Sequence, residues 1–119
     1  MATVLIVEDQ QLLRAWLSRL LAEDGYHILE AGNAEKGVSQ YTEHQPDVVL
    51  LDIGLPKKNG LEVLREIREL DPTARVVMLT AWSEESILRQ AVELGALDYV
   101  IKPFRKQRVL LALQRALDQ

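Results

Sequence analysis

The sequence predicts an α/β fold in which a five-stranded parallel sheet lies between two layers of helices. Short apolar segments alternate five times with longer amphipathic segments along the chain, which is the pattern of repeated strand–helix units. The short segments are apolar on both sides of the strand, as expected for parallel strands that helices cover on both faces. Right-handed crossovers between such strands give a doubly wound, three-layer (βα)5 sandwich.

The first elements are predicted from hydrophobic periodicity. The apolar run 4–7 predicts a buried strand, and apolar residues at helical spacing predict a helix over 11–23. Gly25 follows this stretch and ends the helix. A second and weaker strand is expected over 26–31.

The second helix and the third strand are set by turn residues. Asn33 is a suitable N-cap for a helix that runs to about residue 43, and Pro46 closes that segment. The run 48–52 is the most continuous apolar strand, and it ends on Asp52.

A capping pattern starts the third helix. Asn59, with Glu62 three places later, resembles a capping box for a helix that ends near Pro72. The remaining elements are predicted as a strand over 75–79, a helix over 84–94 stopped by Gly95, a strand over 99–101 and a helix over 105–117.

The composition fits one globular domain and limits the classes of function. The chain has 119 residues, of which 48% are hydrophobic and 27% are charged, enough for a hydrophobic core. The lack of cysteine rules out disulfides and Cys-ligated zinc. No signal peptide or membrane-spanning run is visible. The lack of cysteine fits the cytoplasmic location that we expect. The net charge of -4 argues against direct nucleic-acid binding through a broad basic face.

Polar side chains gather at the carboxyl ends of the predicted strands, where open α/β sheets bind their ligands. The first strand ends in Glu8-Asp9, the third in Asp52, the fourth in Thr80 and the fifth in Lys102. Three carboxylates, one hydroxyl and one amine would therefore share one edge of the sheet.

This set of groups predicts a Mg²⁺ site that accepts a phosphorylated anion. Carboxylates at close range repel one another unless a cation lies between them, and oxygen-only ligands suit a hard ion. Lys102 offers a positive charge to phosphate, and Thr80 offers a hydrogen bond to an oxyanion. Asp52 is the natural nucleophile, because aspartyl phosphates are known covalent intermediates.

Each of these residues also has an ordinary structural explanation when it is taken alone. Asp9 can cap the first helix, and an isolated Asp52 is more often a turn residue at a strand end. Thr80 can be a strand former or a cap, and Lys102 a solvated charge. Their joint placement at four strand ends favours the site.

Around these residues the sequence resembles the receiver (CheY-like) domains of two-component response regulators. The resemblance is carried by the segments VLIVED (4–9), PDVVLLDIGLP (46–56), NG (59–60), VMLTA (77–81) and GALDYVIKPF (95–104). No segment is specific alone, whereas all of them in this order and spacing are. The resemblance implies one receiver domain over residues 1–119 and a flavodoxin-like strand order 2-1-3-4-5.

The resemblance also implies a role for each polar residue. Glu8, Asp9, Asp52 and the backbone carbonyl of Gly54 would hold Mg²⁺. Asp52 would accept a phosphoryl group from a sensor histidine kinase or phosphotransfer protein. Thr80 and Lys102 would contact the phosphoryl oxygens.

Further neighbours complete the implied switch. Ala81 would leave room beside the phosphoryl group, Tyr99 would be the aromatic whose rotamer follows Thr80, and the Lys102–Pro103 bond is typically cis in the family. The phosphoryl group carries about -1.5 to -2 charges and favours the state in which Thr80 and Lys102 close on it. The surface of helix four, strand five and helix five is then a homodimer or partner face. It would control a downstream effector or a fused output domain.

The sequence departs from the family pattern at three positions. Asn59 stands where the family usually has Asp, and we expect little effect because both residues cap helices. Gly54 and Trp82 occupy positions that tune the phosphoryl lifetime in the family. Gly54 provides no side chain to position water, whereas the bulk of Trp82 would shield the site.

Rival functions fit the sequence less well. A phosphohydrolase of the haloacid dehalogenase type needs a DxD motif after the first strand, where this chain has Glu8-Asp9-Gln10-Gln11. A nucleotide-binding module needs a glycine-rich loop at the same turn. A degenerate receiver that only binds partners needs a broken acidic pocket, and this one is complete.

We therefore predict a phospho-acceptor switch that catalyses only its own phosphorylation and dephosphorylation. A stand-alone regulator and a receiver of a transcription factor or hybrid kinase would share this sequence pattern.

Overall fold

The computed structural model describes residues 1–119 and contains one parallel sheet with five helices. The strands are Thr3–Val7 (β1), His27–Ala31 (β2), Val48–Asp52 (β3), Val76–Thr80 (β4) and Asp98–Ile101 (β5). The helices are Gln11–Glu23 (α1), Ala34–His44 (α2), Gly60–Leu70 (α3), Glu85–Glu93 (α4) and Lys106–Leu117 (α5). The strand order is β2-β1-β3-β4-β5, with every neighbouring pair parallel. The predicted fold class and strand order are confirmed.

The sheet separates two hydrophobic cores, because successive strand residues point to opposite faces. On one face, Leu5 and Val7 of β1 pack with buried residues of α2, α3 and α4. On the other face, Val4 and Ile6 pack with buried residues of α1 and α5. The central strands are buried on both sides, as their continuous apolar sequences predict. No helix in the structure has both the length and the apolar character that a bilayer span requires.

Asparagine side chains cap the N-termini of two of the predicted helices. The Asn33 side chain accepts the backbone N–H of Lys36 at 2.8 Å, and that of Asn59 accepts the N–H of Glu62 at 3.1 Å. Only this Asn half of the predicted capping box is formed at α3. The alternative role of Asp9 as a helix cap is not observed, since α1 begins after Gln10 without a side-chain cap.

A close approach at Gly60 joins α3 to the end of β3. A Cβ at this position would lie 2.2 Å from the carbonyl oxygen of Asp52 and 2.6 Å from the Cα of Ile53. The Gly60 N–H donates to the carbonyl of Ile53 at 2.8 Å. Glycine is the residue that fits there without a backbone shift, so Gly60 allows α3 to begin directly against the backbone that carries Asp52.

Candidate functional site

The three predicted carboxylates meet at the carboxyl edge of the sheet. Glu8 and Asp9 follow β1, and Asp52 ends the neighbouring strand β3. One oxygen from each lies within 4.8 Å of the other two. Glu8 is fully buried and Asp52 is only 4% exposed, whereas Asp9 is exposed.

The two buried carboxylates already have hydrogen-bond partners. Glu8 Oε1 accepts from Lys102 Nζ at 2.9 Å, and its Oε2 accepts from the N–H of Gln10 at 3.1 Å. Asp52 Oδ1 accepts from the N–H of Gly54 at 3.0 Å, while its Oδ2 lies 3.5 Å from Lys102 Nζ. Asp9 makes no hydrogen bond or ion pair with another residue, so its carboxylate is free to bind a ligand.

The charge and donor type of this cluster fit a divalent, oxygen-preferring cation. Three carboxylates with a single ammonium group leave an excess of two negative charges. All available side-chain ligands are carboxylate oxygens, which suit Mg²⁺ better than a soft metal. The residues present therefore fit the predicted ion.

Lys102 reaches the carboxylates from the end of β5. Its backbone N–H donates to the carbonyl of Thr80 at 2.7 Å, which ties the ends of β4 and β5 together. The Lys102–Pro103 bond is cis, as the resemblance implied. The ammonium group lies between Glu8 and Asp52 and contacts both.

Thr80 is buried beside the site with its hydroxyl engaged elsewhere. The hydroxyl accepts the N–H of Trp82 at 2.8 Å and donates to the carbonyl of the same residue at 3.1 Å. It makes no hydrogen bond to Asp52 or Lys102. Closing on a phosphoryl group would thus require Thr80 to exchange its bonds to the loop after β4.

The other predicted residues surround this edge. Ala81 and Pro103 are exposed, and Trp82 is 43% exposed in the loop after β4. Tyr99 is half-buried on β5 and lines a surface cavity of 580 Å³ with residues of the α5 start. At Gly54 a Cβ would meet Asp52 Oδ1 at 3.6 Å, an ordinary contact, so a side chain would fit there.

Sequence reasoning missed Arg14 and the spatial reason for Gly60. Arg14 Nη1 donates to the backbone carbonyl of Glu8 at 2.8 Å, although the residue was predicted only as part of an amphipathic helix. The Asn-Gly pair at 59–60 was visible as a motif. Its close approach to Asp52 depends on how α3 meets β3, which no local pattern encodes.

A model of the family described as "Response regulator receiver domain" matches residues 4–114. The chain belongs to this family. The receiver domain is thus a signalling module of two-component response regulators rather than a metabolic enzyme. Its acidic cluster is compatible with Mg²⁺ and with a phosphorylated aspartate.

Individual relatives agree with this assignment. The receiver is 36% identical over 116 residues to the chemotaxis protein CheY of Bacillus subtilis (strain 168), which covers 97% of each chain. It is 39% identical over 119 residues to the KDP operon transcriptional regulatory protein KdpE of Escherichia coli (strain K12), covering 97% of this chain and 52% of KdpE.

A solved relative has the same fold. The receiver superposes with a TM-score of 0.92 on a chain in the crystal structure of the CheX-CheY-BeF3-Mg²⁺ complex from Borrelia burgdorferi. The two are 32% identical, and the match covers 96% of this chain and 87% of that chain.

Proposed function

We propose that this receiver is a phosphorylation-dependent switch in a two-component phosphorelay, with Asp52 as its phospho-acceptor and Mg²⁺ as its cofactor. The convergence of Glu8, Asp9 and Asp52 within 4.8 Å supports the proposal most directly. The contacts of Lys102 with two of these carboxylates add to it. Residues 1–119 act in this proposal as one receiver domain.

The phosphoryl transfer is an attack by the Asp52 carboxylate on the phosphorus of a phosphohistidine. That histidine belongs to a sensor histidine kinase or phosphotransfer protein. A new O–P bond forms while the N–P bond breaks and the imidazole leaves, and later hydrolysis by water restores the carboxylate. Lys102 stabilises negative charge on the transferred oxygens, since its ammonium group already lies 3.5 Å from Asp52 Oδ2.

The cation-binding residues in this proposal are Glu8, Asp9, Asp52 and the backbone carbonyl of Gly54. Bound Mg²⁺ supplies positive charge that offsets the carboxylates and the incoming phosphoryl oxygens. The chain's own part is to hold Glu8 and Asp52 in place through Gln10, Gly54 and Lys102.

The switch then changes a partner surface. The phosphoryl group carries about -1.5 to -2 charges in place of the single charge of the carboxylate, which favours a state where Thr80 leaves Trp82 and bonds the phosphoryl oxygens. Tyr99 and the surface of α4, β5 and α5 respond to this movement. That surface carries exposed Val92, Ile101 and Leu111, and we assign it to a downstream effector, a fused output domain or a second copy of the chain.

The relatives agree with these partners. KdpE is described as a transcriptional regulatory protein and is about twice the length of the matched region. The Borrelia burgdorferi CheY is in a complex that contains CheX and Mg²⁺. The proposed exchange of phosphoryl groups takes place in the cytoplasm, a location that is consistent with the family.

Intact mass spectrometry tests the proposal. The protein is incubated with acetyl phosphate with and without Mg²⁺, beside Asp52→Asn and the exposed-site control Asp24→Asn. We expect the wild type and Asp24→Asn to gain one phosphoryl group only with Mg²⁺, and Asp52→Asn to gain none. If the wild type gains nothing under any condition, the chain is instead a phosphorylation-independent binding module.

A further inference from the structure

Arg14 connects the turn after β1 to the end of β2. Its Nη1 donates to the backbone carbonyl of Glu8 at 2.8 Å, and its Nε lies 3.1 Å from Glu30 Oε1. The guanidinium lies against Gly32, where a Cβ would approach Nη1 to 3.1 Å. The side chain is only 20% exposed. It is therefore a fixed part of the turn rather than a solvated charge of α1.

The bond from Arg14 completes the set of contacts that hold Glu8. The Glu8 N–H donates to the carbonyl of Ala31 at 3.0 Å, and its carboxylate is held by Gln10 and Lys102. Arg14 alone among the side chains holds the Glu8 carbonyl. All polar groups of Glu8 are thus engaged.

The position of Asp9 depends on these contacts of Glu8, because Asp9 itself makes no hydrogen bond or ion pair. The peptide group between Glu8 and Asp9 is planar, so fixing the Glu8 carbonyl also fixes the direction in which the chain enters Asp9. The exposed Asp9 carboxylate nevertheless lies within 4.8 Å of the ligand oxygens of Glu8 and Asp52. Its backbone, rather than its side-chain contacts, places it there.

We propose that Arg14 is a positioning residue for the cation: it orients the Glu8–Asp9 peptide so that Asp9 is directed at the site before the ion binds. The inference rests on the proposed Mg²⁺ function. Contacts that orient metal ligands commonly change metal affinity by about 10- to 100-fold. Glu30 anchors the guanidinium from the other side and balances its charge.

The direction of the change in Mg²⁺ affinity distinguishes a positioning role of Arg14 from a purely electrostatic one. Arg14 is a cation next to a cation site, so removing its charge would by Coulomb's law tighten Mg²⁺ binding. Removing its hydrogen bond would instead free the Glu8–Asp9 peptide and weaken Mg²⁺ binding. The two roles thus predict opposite changes for the same substitution.

Calorimetric titration of the unphosphorylated protein with MgCl₂ at constant ionic strength tests the inference. We expect Arg14→Met to raise the Kd for Mg²⁺ about tenfold. Arg19→Met, which removes an exposed arginine of the same helix paired with Glu23, should leave the Kd unchanged. Arg19→Met should also take up a phosphoryl group from acetyl phosphate at the wild-type rate, whereas Arg14→Met should need about tenfold more Mg²⁺ to reach half of its own maximal rate.

Arg14→Lys gives a second measurement if Arg14→Met does not fold. Lysine keeps the charge but has no planar fork to reach Glu8 and Glu30 together. A positioning role therefore predicts that Arg14→Lys has a severalfold higher Kd for Mg²⁺ than the wild type. A purely electrostatic role predicts an unchanged Kd. A Kd for Arg14→Met at or below the wild-type value overturns the inference alone. A wild-type protein that binds no Mg²⁺ overturns the proposed function, and this inference with it.

Discussion

The site contains buried charges that are paired with Lys102 and one exposed charge, that of Asp9, which has no partner. Glu8 and Asp52 are buried and share the ammonium group of Lys102. A buried carboxylate without a partner would be costly, so Lys102 compensates both acids before any cation binds. Asp9 is solvated and costs little without a partner. It is therefore the carboxylate that a cation would order most.

Gly60→Ala tests how closely α3 approaches the phospho-acceptor strand. The added methyl group would lie 2.2 Å from the Asp52 carbonyl oxygen, and backbone must move to admit it. Overpacking of this kind typically costs about 1–3 kcal/mol. We expect a loss of this size in the free energy of unfolding, measured with urea, together with slower phosphoryl uptake because Asp52 moves.

Gly54→Ala is the matched control for that substitution. Its Cβ would meet Asp52 Oδ1 at 3.6 Å, so no backbone shift is needed. The unfolding free energy should stay close to that of the wild type. Equal stability of Gly60→Ala and Gly54→Ala would contradict the close approach.

The position of the site could be predicted from the elements, whereas its internal contacts could not. The carboxyl ends of parallel strands share one edge, so Glu8, Asp9 and Asp52 could be placed on the same edge from the parallel arrangement alone. The bond from Arg14 to Glu8 depends on how α1 leaves β1. The bonds of Thr80 to Trp82 depend on the path of the loop after β4. Neither has a local sequence signal.

A hydrogen bond between Tyr41 of α2 and Asp71 after α3 ties two helices together at the far end of the sheet. The Tyr41 hydroxyl donates to Asp71 Oδ2 at 2.7 Å. Hydrogen bonds from the Thr73 hydroxyl, and then from Tyr41, lower the pKa of Asp71 below its ordinary value of 3.8. Burial raises the pKa of Tyr41, and the bond to Asp71 raises it further.

Asp71→Asn should therefore destabilise the protein in a pH-dependent way. Because the folded pKa of Asp71 is depressed, its stabilisation is present above about pH 4 and is lost as the pH falls through the folded value. We expect a loss of about 1 kcal/mol at neutral pH, measured by urea unfolding, that disappears in acid. Asp118→Asn, at an exposed helix end, should show no difference at either pH. A loss that is equal in acid and at neutral pH would contradict the role of the charged form.

At the scale of the whole molecule, the site and the proposed partner surface are joined by the ends of β4 and β5. The Lys102 N–H bonds the Thr80 carbonyl, so these strand ends move together. From β5 the connection continues to α5, since Arg108 pairs with Asp98 and donates to the Tyr99 carbonyl at 2.8 Å. A change at Thr80 can thus reach α5 through contacts that are already in place.

Thr80→Val and Thr80→Ser test whether the Thr80 hydroxyl carries this change. Valine has nearly the shape of threonine without the hydroxyl, and serine keeps the hydroxyl. Both variants should accept a phosphoryl group, since Asp52 and Lys102 remain. Hydrogen exchange measured with and without acetyl phosphate and Mg²⁺ should show altered protection over 80–84 and 98–108 in the wild type and in Thr80→Ser. In Thr80→Val the altered protection should stay confined to the residues around Asp52.

If phosphorylated Thr80→Val shows the full wild-type change, the signal reaches β5 and α5 by a route other than this hydroxyl. Lys102 would then be the remaining direct link, because it contacts Asp52 and lies on the strand end that leads to α5.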